Sequence, residues 1–259
     1  ISYRSKGYFE MAIDSYQEAI KIKPDYPEAY YNMANILKSN GEVDKAFDQY
    51  KKALKIRPKY ADAHINIGNI LKGKGDLKGA IKSYKSALSI NSSYSEAYNN
   101  LGNVQKEQND FKTAIESYKN AIRTQPKYME AHNNLGNTLT AMGNLESAIK
   151  SFKRAIEIKP DYAEVYNNMG LAITAQGNLD SAIECYRLAL VTKPDYPNVL
   201  KNIGDVFIEK NDFFSSLRKS RSLLLFFRHS SQFMSISGAK YLISVSIEVA
   251  LNKNMPLFQ

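Results

Sequence analysis

Tryptophan is missing from the 259 residues, cysteine occurs once and histidine three times. A single thiol builds neither a disulfide framework nor a thiolate zinc cluster, which need several. Three histidines leave little material for an imidazole metal site. The longest apolar run, Leu223 to Phe227, covers about five residues, where a membrane-spanning helix needs about twenty. There is no nucleophile elbow, phosphate-binding loop, HExxH pattern or dinucleotide fingerprint. Catalysis, metal and cofactor are therefore not expected. Disorder is excluded as well, because 44% of the residues are hydrophobic and 24% charged, an ordinary globular balance. The length suits one or two domains.

What is present is a period. Tyr26, Tyr60, Tyr94, Tyr128, Tyr162 and Tyr196 stand 34 residues apart. Pro24, Pro58, Pro126, Pro160 and Pro194 precede them by two, with Ser92 in the remaining place. Ala46, Ala80, Ala114, Ala148 and Ala182 keep the same step. So do the aromatics Tyr50, Tyr84, Tyr118, Phe152 and Tyr186, and Ala53, Ala87, Ala121, Ala155 and Ala189. Many columns in register at such a period signal stacked structural units.

Each unit reads as two helices. In residues 61–94, His64, Ile67, Gly68 and Leu71 follow the spacing of one helical face. Gly75 suits the left-handed conformation that closes a helix. Gly41, Gly143 and Gly177 share its column, and Asn109 and Asn211 replace it with the next most tolerant residue. Asp76 is placed to cap the second helix, as are Asp110, Asn144, Asn178 and Asp212. Leu77, Ala80, Ile81, Tyr84, Ala87 and Leu88 form the second stripe, and the next proline ends it. Gly68, Gly102, Gly136, Gly170 and Gly204, with Ala34 in the first full unit, let the paired helices approach closely. No pair buries its stripe alone, so stacking supplies the core.

The 34-residue step, these columns and runs such as "PDYAEVYNNMG" resemble the tetratricopeptide repeat family. The resemblance covers residues 1–213. It implies an all-α fold, a right-handed superhelical solenoid of 34-residue helix-turn-helix repeats. Residues 1–26 match the closing columns of a unit, so the array is expected to start upstream of Ile1, where a targeting segment would be invisible. Full units are expected at 27–60, 61–94, 95–128, 129–162 and 163–196, then the first helix of a sixth to residue 213. Beyond it the columns collapse. Residues 214–259 read either as a diverged capping region or as the start of a truncated second module. Ile243, Val245, Ile247 and Val249 fit a strand alternation and equally a short helix.

In this family the first helix of each pair lines the concave side. The resemblance then places Asn32, Asn66, Asn100, Asn134, Asn168 and Asn202 along a groove. Asn35, Asn69, Asn103 and Asn137 follow one turn later, and Asn99, Asn133 and Asn167 add further amides. An amide both donates and accepts, matching an extended peptide backbone. At roughly 0.5–1.5 kcal/mol per bond, less the cost of ordering the peptide, affinity on the order of micromolar is expected. The alternative is that these amides serve local structure, since Asn is common at these columns across the family. The ladder is also similar to the repeat arm of O-linked N-acetylglucosamine transferases. The resemblance therefore implies a cytoplasmic interaction scaffold for a protein or peptide partner, or the substrate-recruiting arm of a larger glycosyltransferase. Nothing in the columns specifies an oligomeric state.

The remaining chemistry reads as scaffold. Glu28, Asp62, Glu96, Glu130 and Glu164 recur once per unit, too far apart for a catalytic pair. They oppose an acidic peptide terminus where a carboxylate clamp needs cations. His64 and His132 share the column of Tyr30, Tyr98 and Tyr166, so they read as packing residues, and His229 has no recognisable partner. Cys185 replaces the serine of Ser83, Ser117 and Ser151. The net charge of +9 concentrates in Lys51, Lys85, Lys119, Lys153 and Arg187, expected as a solvated outer face. Nucleic acid is a poor fit: carboxylates interleave these cations and no recognised module is present.

Overall fold

In the computed structural model, residues 3–209 are described, with side chains from Tyr8 onward. Asn211, Asp212, His229 and the whole of 214–259, with both readings of it, lie outside them. The described residues form twelve α-helices and no strand. They are α1 (Tyr3–Ile22), α2 (Pro27–Ser39), α3 (Val43–Ile56), α4 (Ala61–Gly73), α5 (Leu77–Ile90), α6 (Ser95–Glu107), α7 (Phe111–Thr124), α8 (Met129–Ala141), α9 (Leu145–Ile158), α10 (Ala163–Ala175), α11 (Leu179–Thr192) and α12 (Pro197–Glu209). The fold is all-α, built from consecutive helix pairs. Two compact units divide the chain, 1–131 and 132–259.

The caps explain why the helices stop where they do. Gly75 has φ 80° and Asn109, in the same column, φ 59°. Both sit in the left-handed region that disfavours side chains with a bulky Cβ. The Asp76, Asp110 and Asn178 side chains then accept the amide N–H groups of Gly79, Thr113 and Ser181 at 2.9, 3.3 and 3.3 Å. Each satisfies one of the orphan donors of a helix start. Asn144 makes no such side-chain bond, so that expected cap is a turn residue only.

In the first unit α2 packs on α3, α4 on α5 and α6 on α7, and each pair leans on the next through α3–α4 and α5–α6. In the second unit α10 packs on α9 and α11, and α11 on α12. The core repeats with the sequence: the alanines at 46, 80, 114, 148 and 182 are fully buried, and so are Tyr50, Tyr84, Tyr118, Phe152 and Tyr186. The glycine on the facing helix makes room for that ring. A Cβ added at Gly68 would lie 2.6 Å from Tyr84, and one at Gly170 2.5 Å from Tyr186, well inside van der Waals contact. The alanine column thus brings the helices together, while the glycine column admits an aromatic ring between them.

Candidate functional site

The first helices carry the amides, and the structure sorts them into two layers. Asn32, Asn35, Asn66, Asn69, Asn100, Asn103, Asn134, Asn137, Asn168 and Asn202 are all half-buried. Asn99, Asn133 and Asn167, one position before the first column, are buried at 6, 6 and 7% exposure. They are turned in and serve as partners for their neighbours.

In the first unit the phenol of the second helix donates to the amide oxygen opposite. Tyr50 Oη reaches Asn35 Oδ1 at 2.6 Å, Tyr84 reaches Asn69 at 2.7 Å and Tyr118 reaches Asn103 at 2.8 Å. Repeats are then cross-linked. Asn100 Nδ2 donates to Asn69 Oδ1 at 3.1 Å. Asn66 Nδ2 donates to Tyr31 Oη at 3.2 Å and to the Asp62 carbonyl at 3.1 Å, and its Oδ1 accepts from Lys38 Nζ at 2.5 Å. In the second unit the amides form a relay. Asn202 donates to Asn167 at 2.9 Å, Asn167 to Asn168 at 3.4 Å, and Asn168 to Asn133 at 3.1 Å. Sequence columns alone did not show this internal use; its one signal was the double amide, as at Asn167–Asn168.

An Asn side chain offers two N–H donors and two lone pairs, and most of these bonds consume only one or two of the four. Asn32 and Asn137 make no side-chain hydrogen bond to another described residue. The reason at Asn137 is legible, because its aromatic partner is Phe152, which lacks the hydroxyl. The column itself ends in the second unit, where Leu171 takes the place of the amide and is 42% exposed. There Tyr186 Oη pairs with Thr174 Oγ1 at 3.2 Å instead.

The rim of this face is acidic and aromatic. Arg57 binds Glu28 at 2.5 Å, and the Glu28 carboxyl is held below its ordinary value by its own backbone N–H and by Arg57. Tyr94 donates to Asp62 at 2.6 Å. That carboxylate, together with burial, pushes the Tyr94 hydroxyl up to about 12. Tyr128 rises to about 12 through burial, then through Glu96 and Glu130. A second pattern runs beside it. Lys23, Arg57, Lys159 and Lys193 sit over the rings of Tyr26, Tyr60, Tyr162 and Tyr196 at 5.4, 5.2, 5.1 and 4.8 Å. Asn91 and Gln125 hold the same place before Tyr94 and Tyr128, and no cation of that column stands over those rings among the described residues. Gln125→Lys exchanges the 2.6 Å bond that Gln125 accepts from Ser95 for a cation–π contact worth about 0.5–1 kcal/mol, so stability in urea unfolding is expected to change by less than that amount. It should also lower the titration midpoint of Tyr128, since a cation favours the phenolate. An unchanged midpoint would show that the new ammonium does not reach the ring.

Two described residues with reactive side chains, Cys185 and His64, serve the structure. Cys185 is buried, and burial pushes its thiol up to about 11, so it is protonated at neutral pH and a poor nucleophile. His64 donates from Nε2 to the Pro58 carbonyl at 2.9 Å, which ties the first helix of its repeat to the preceding turn. His132 is half-buried. Lys51, Lys85, Lys119, Lys153 and Arg187 are all exposed, as expected of an outer face. Among the described residues no cluster could hold a metal ion, and no helix is long and apolar enough to cross a membrane.

Paired helices capped by glycine, with alanine at the contacts and a buried aromatic opposite glycine, define a helical-repeat protein. The TPR repeat family model matches residues 2–41, 34–75, 68–109, 106–143, 136–174 and 170–211, and the chain belongs to that family. A comparison with curated proteins finds no match. Among solved structures the chain is similar to YrrB, described as a TPR protein with an unusual peptide-binding site. The two are 26% identical over 73% of this chain and 97% of YrrB, with a TM-score of 0.63. MamA is 27% identical, covering 65% of this chain and 92% of its own, at a TM-score of 0.60. The PilF protein of Pseudomonas aeruginosa shares the fold at 20% identity and a TM-score of 0.65, over 86% of this chain and 97% of its own.

Proposed function

We propose that the chain is a non-catalytic scaffold whose first-helix faces hold an extended peptide or a segment of a partner protein. TPR repeat proteins bind protein or peptide partners. The finer reading rests on one observation: amides line these faces with hydrogen-bonding capacity that the scaffold leaves unspent, most of all Asn32 and Asn137. The bonds among the other amides hold the row in fixed rotamers, so a peptide backbone meets preorganised donors and acceptors and less ordering cost is incurred on binding. The similarity to YrrB, which has a peptide-binding site, supports the same reading.

Asn32 and Asn137 are also the best places to test it, because replacing them breaks no side-chain hydrogen bond to another described residue. The double variant Asn32→Ala, Asn137→Ala is expected to melt as the wild type does. On an array of extended peptides it should bind about 5- to 150-fold more weakly, two bonds at about 0.5–1.5 kcal/mol each. Asn100→Ala, by contrast, also removes the bond to Asn69 and should lower both binding and stability. Wild-type binding by the Asn32, Asn137 variant would remove the amide row from the recognition surface.

A further inference from the structure

We propose that the groove between α1 and α3 of the first unit is a separate docking site for an acidic peptide segment of a partner protein. It lies apart from the amide faces, and its reading does not depend on theirs. The groove encloses about 730 Å³, within the range of binding pockets. Its floor is apolar, formed by Ile13 of α1 and by Met33 and Leu37 of α2. Its wall carries Gln49, whose Oε1 is buried and has no hydrogen-bond partner among the described residues.

That orphan is unusual for its column. The sister repeats place Ser83, Ser117, Ser151 and Cys185 there. Ser83 and Ser151 bond back to the carbonyls four residues earlier at 2.9 Å, and Ser117 bonds to Gln105 at 2.6 Å. Each serine finds a partner within the protein at this position, and the glutamine oxygen has none among the described residues. A buried acceptor left unpaired carries its full desolvation cost. Its presence where a neutral solution recurs in neighbouring repeats points to a donor supplied from outside.

The rim states the charge of that donor's carrier. Among the described residues, Lys45, Lys51, Lys52 and Lys55 surround the groove against two carboxylates, Glu42 and Asp48. Lys45 is spent on Glu42 at 2.6 Å. Lys51 and Lys52 rest against Phe47 and Tyr30 at 5.5 and 5.9 Å, contacts that leave their ammonium protons for an anion. Lys55 is exposed and makes no contact of its own with a described carboxylate. An N–H donor for Gln49, carboxylates for Lys51, Lys52 and Lys55, and an aliphatic group for the floor occur together on one kind of ligand. A short acidic polypeptide with a central aliphatic residue carries all three.

The test is a nuclear magnetic resonance titration of the full chain with the peptide acetyl-Asp-Glu-Leu-Asp-Glu-amide, and with acetyl-Asn-Gln-Leu-Asn-Gln-amide as its uncharged counterpart. The acidic probe is expected to shift the methyl signals of Ile13, Met33 and Leu37 and the side-chain amide of Gln49. The uncharged probe should leave them in place. Gln49→Ser, which installs the residue of the sister repeats, should melt no lower than wild type yet bind the acidic probe at least tenfold more weakly. Lys52→Gln with Lys55→Gln should weaken it likewise, in a salt-dependent manner. Equal shifts from both probes would overturn the assignment. So would wild-type affinity in Gln49→Ser, which would mean that solvent alone satisfies the amide, or shifts confined to Asn32, Asn66 and Asn100.

Discussion

Tyr84→Ala is expected to lower the unfolding free energy by about 3–5 kcal/mol, the usual cost of deleting a buried aromatic side chain. Tyr84 is fully buried and packs in one cluster with Ala61, Ile65, Ala80, Ala97, Leu101 and Val104. It therefore joins α4 and α5 to the following helix α6, and the lesion acts on two interfaces. The pocket cannot collapse easily. Its opposite wall is Gly68, which has no side chain to move inward, and the alanines around it are already at contact. Tyr84→Phe separates the ring from the hydroxyl. It keeps the packing and removes only the 2.7 Å bond to Asn69, for about 1 kcal/mol. Asn69 would still accept from Asn100, which limits the loss. Phe152 already occupies this column in the second unit, so the phenylalanine is compatible with the fold. Because repeats stabilise one another through neighbouring interfaces, urea unfolding of Tyr84→Ala should also become less cooperative. An alanine variant that costs no more than the phenylalanine variant would mean that the ring is not the element holding α4, α5 and α6 together.

The fold was legible because its determinants recur. One alanine proves little, but five at a fixed step, each four residues before an aromatic that itself stands sixteen after a glycine (Ala34 in the first full unit), leave few arrangements. The helix ends were legible for the same reason: Gly75 and Asn109 need the left-handed region, and Asp76 and Asp110 cap the second helix of their repeats. The candidate site was legible only in part. Adjacent amides such as Asn99–Asn100 and Asn167–Asn168 look equivalent in sequence, yet successive residues on a helix point about 100° apart, and one of each pair is buried. Which one turns inward depends on the neighbouring repeat that receives it.

Two other features depended on tertiary partners. The tyrosine column reads as space-filling, and its hydroxyl bonds to Asn35, Asn69 and Asn103 appear only once the two helices face each other. Gln49 looks like an ordinary polar substitution on an amphipathic helix. Its significance comes from the contrast with Ser83 and Ser151, whose short side chains reach their own backbone. The longer glutamine makes no such bond, and its Oε1 is buried without a partner among the described residues.

Alkaline pH should unfold the protein well before its backbone or ion pairs alone would require. Burial pushes the hydroxyls of Tyr50 and Tyr84 far above the ordinary value of 10. Tyr94 and Tyr128 are pushed up to about 12, and the Cys185 thiol from 9 to about 11. In each case the folded state holds the proton more tightly than the unfolded chain does. The stability these groups contribute is therefore complete below pH 9. It is lost as pH rises through the unfolded values of 9 and 10 toward the native ones. Tyr94 is only half-buried, so solvent screening moderates its share. The buried Tyr50 and Tyr84 dominate, because a phenolate there would lose its water and gain no cation in exchange. Far-ultraviolet circular dichroism and tyrosinate absorbance should fall and rise together, in one transition between pH 10 and 12. Lysines also lose charge in this range, so a variant is needed to assign the effect. Tyr84→Phe is less stable at neutral pH, but its stability should decline less steeply between pH 10 and 12, by up to one proton. Parallel curves for the two proteins would place the alkaline transition in the surface charges instead.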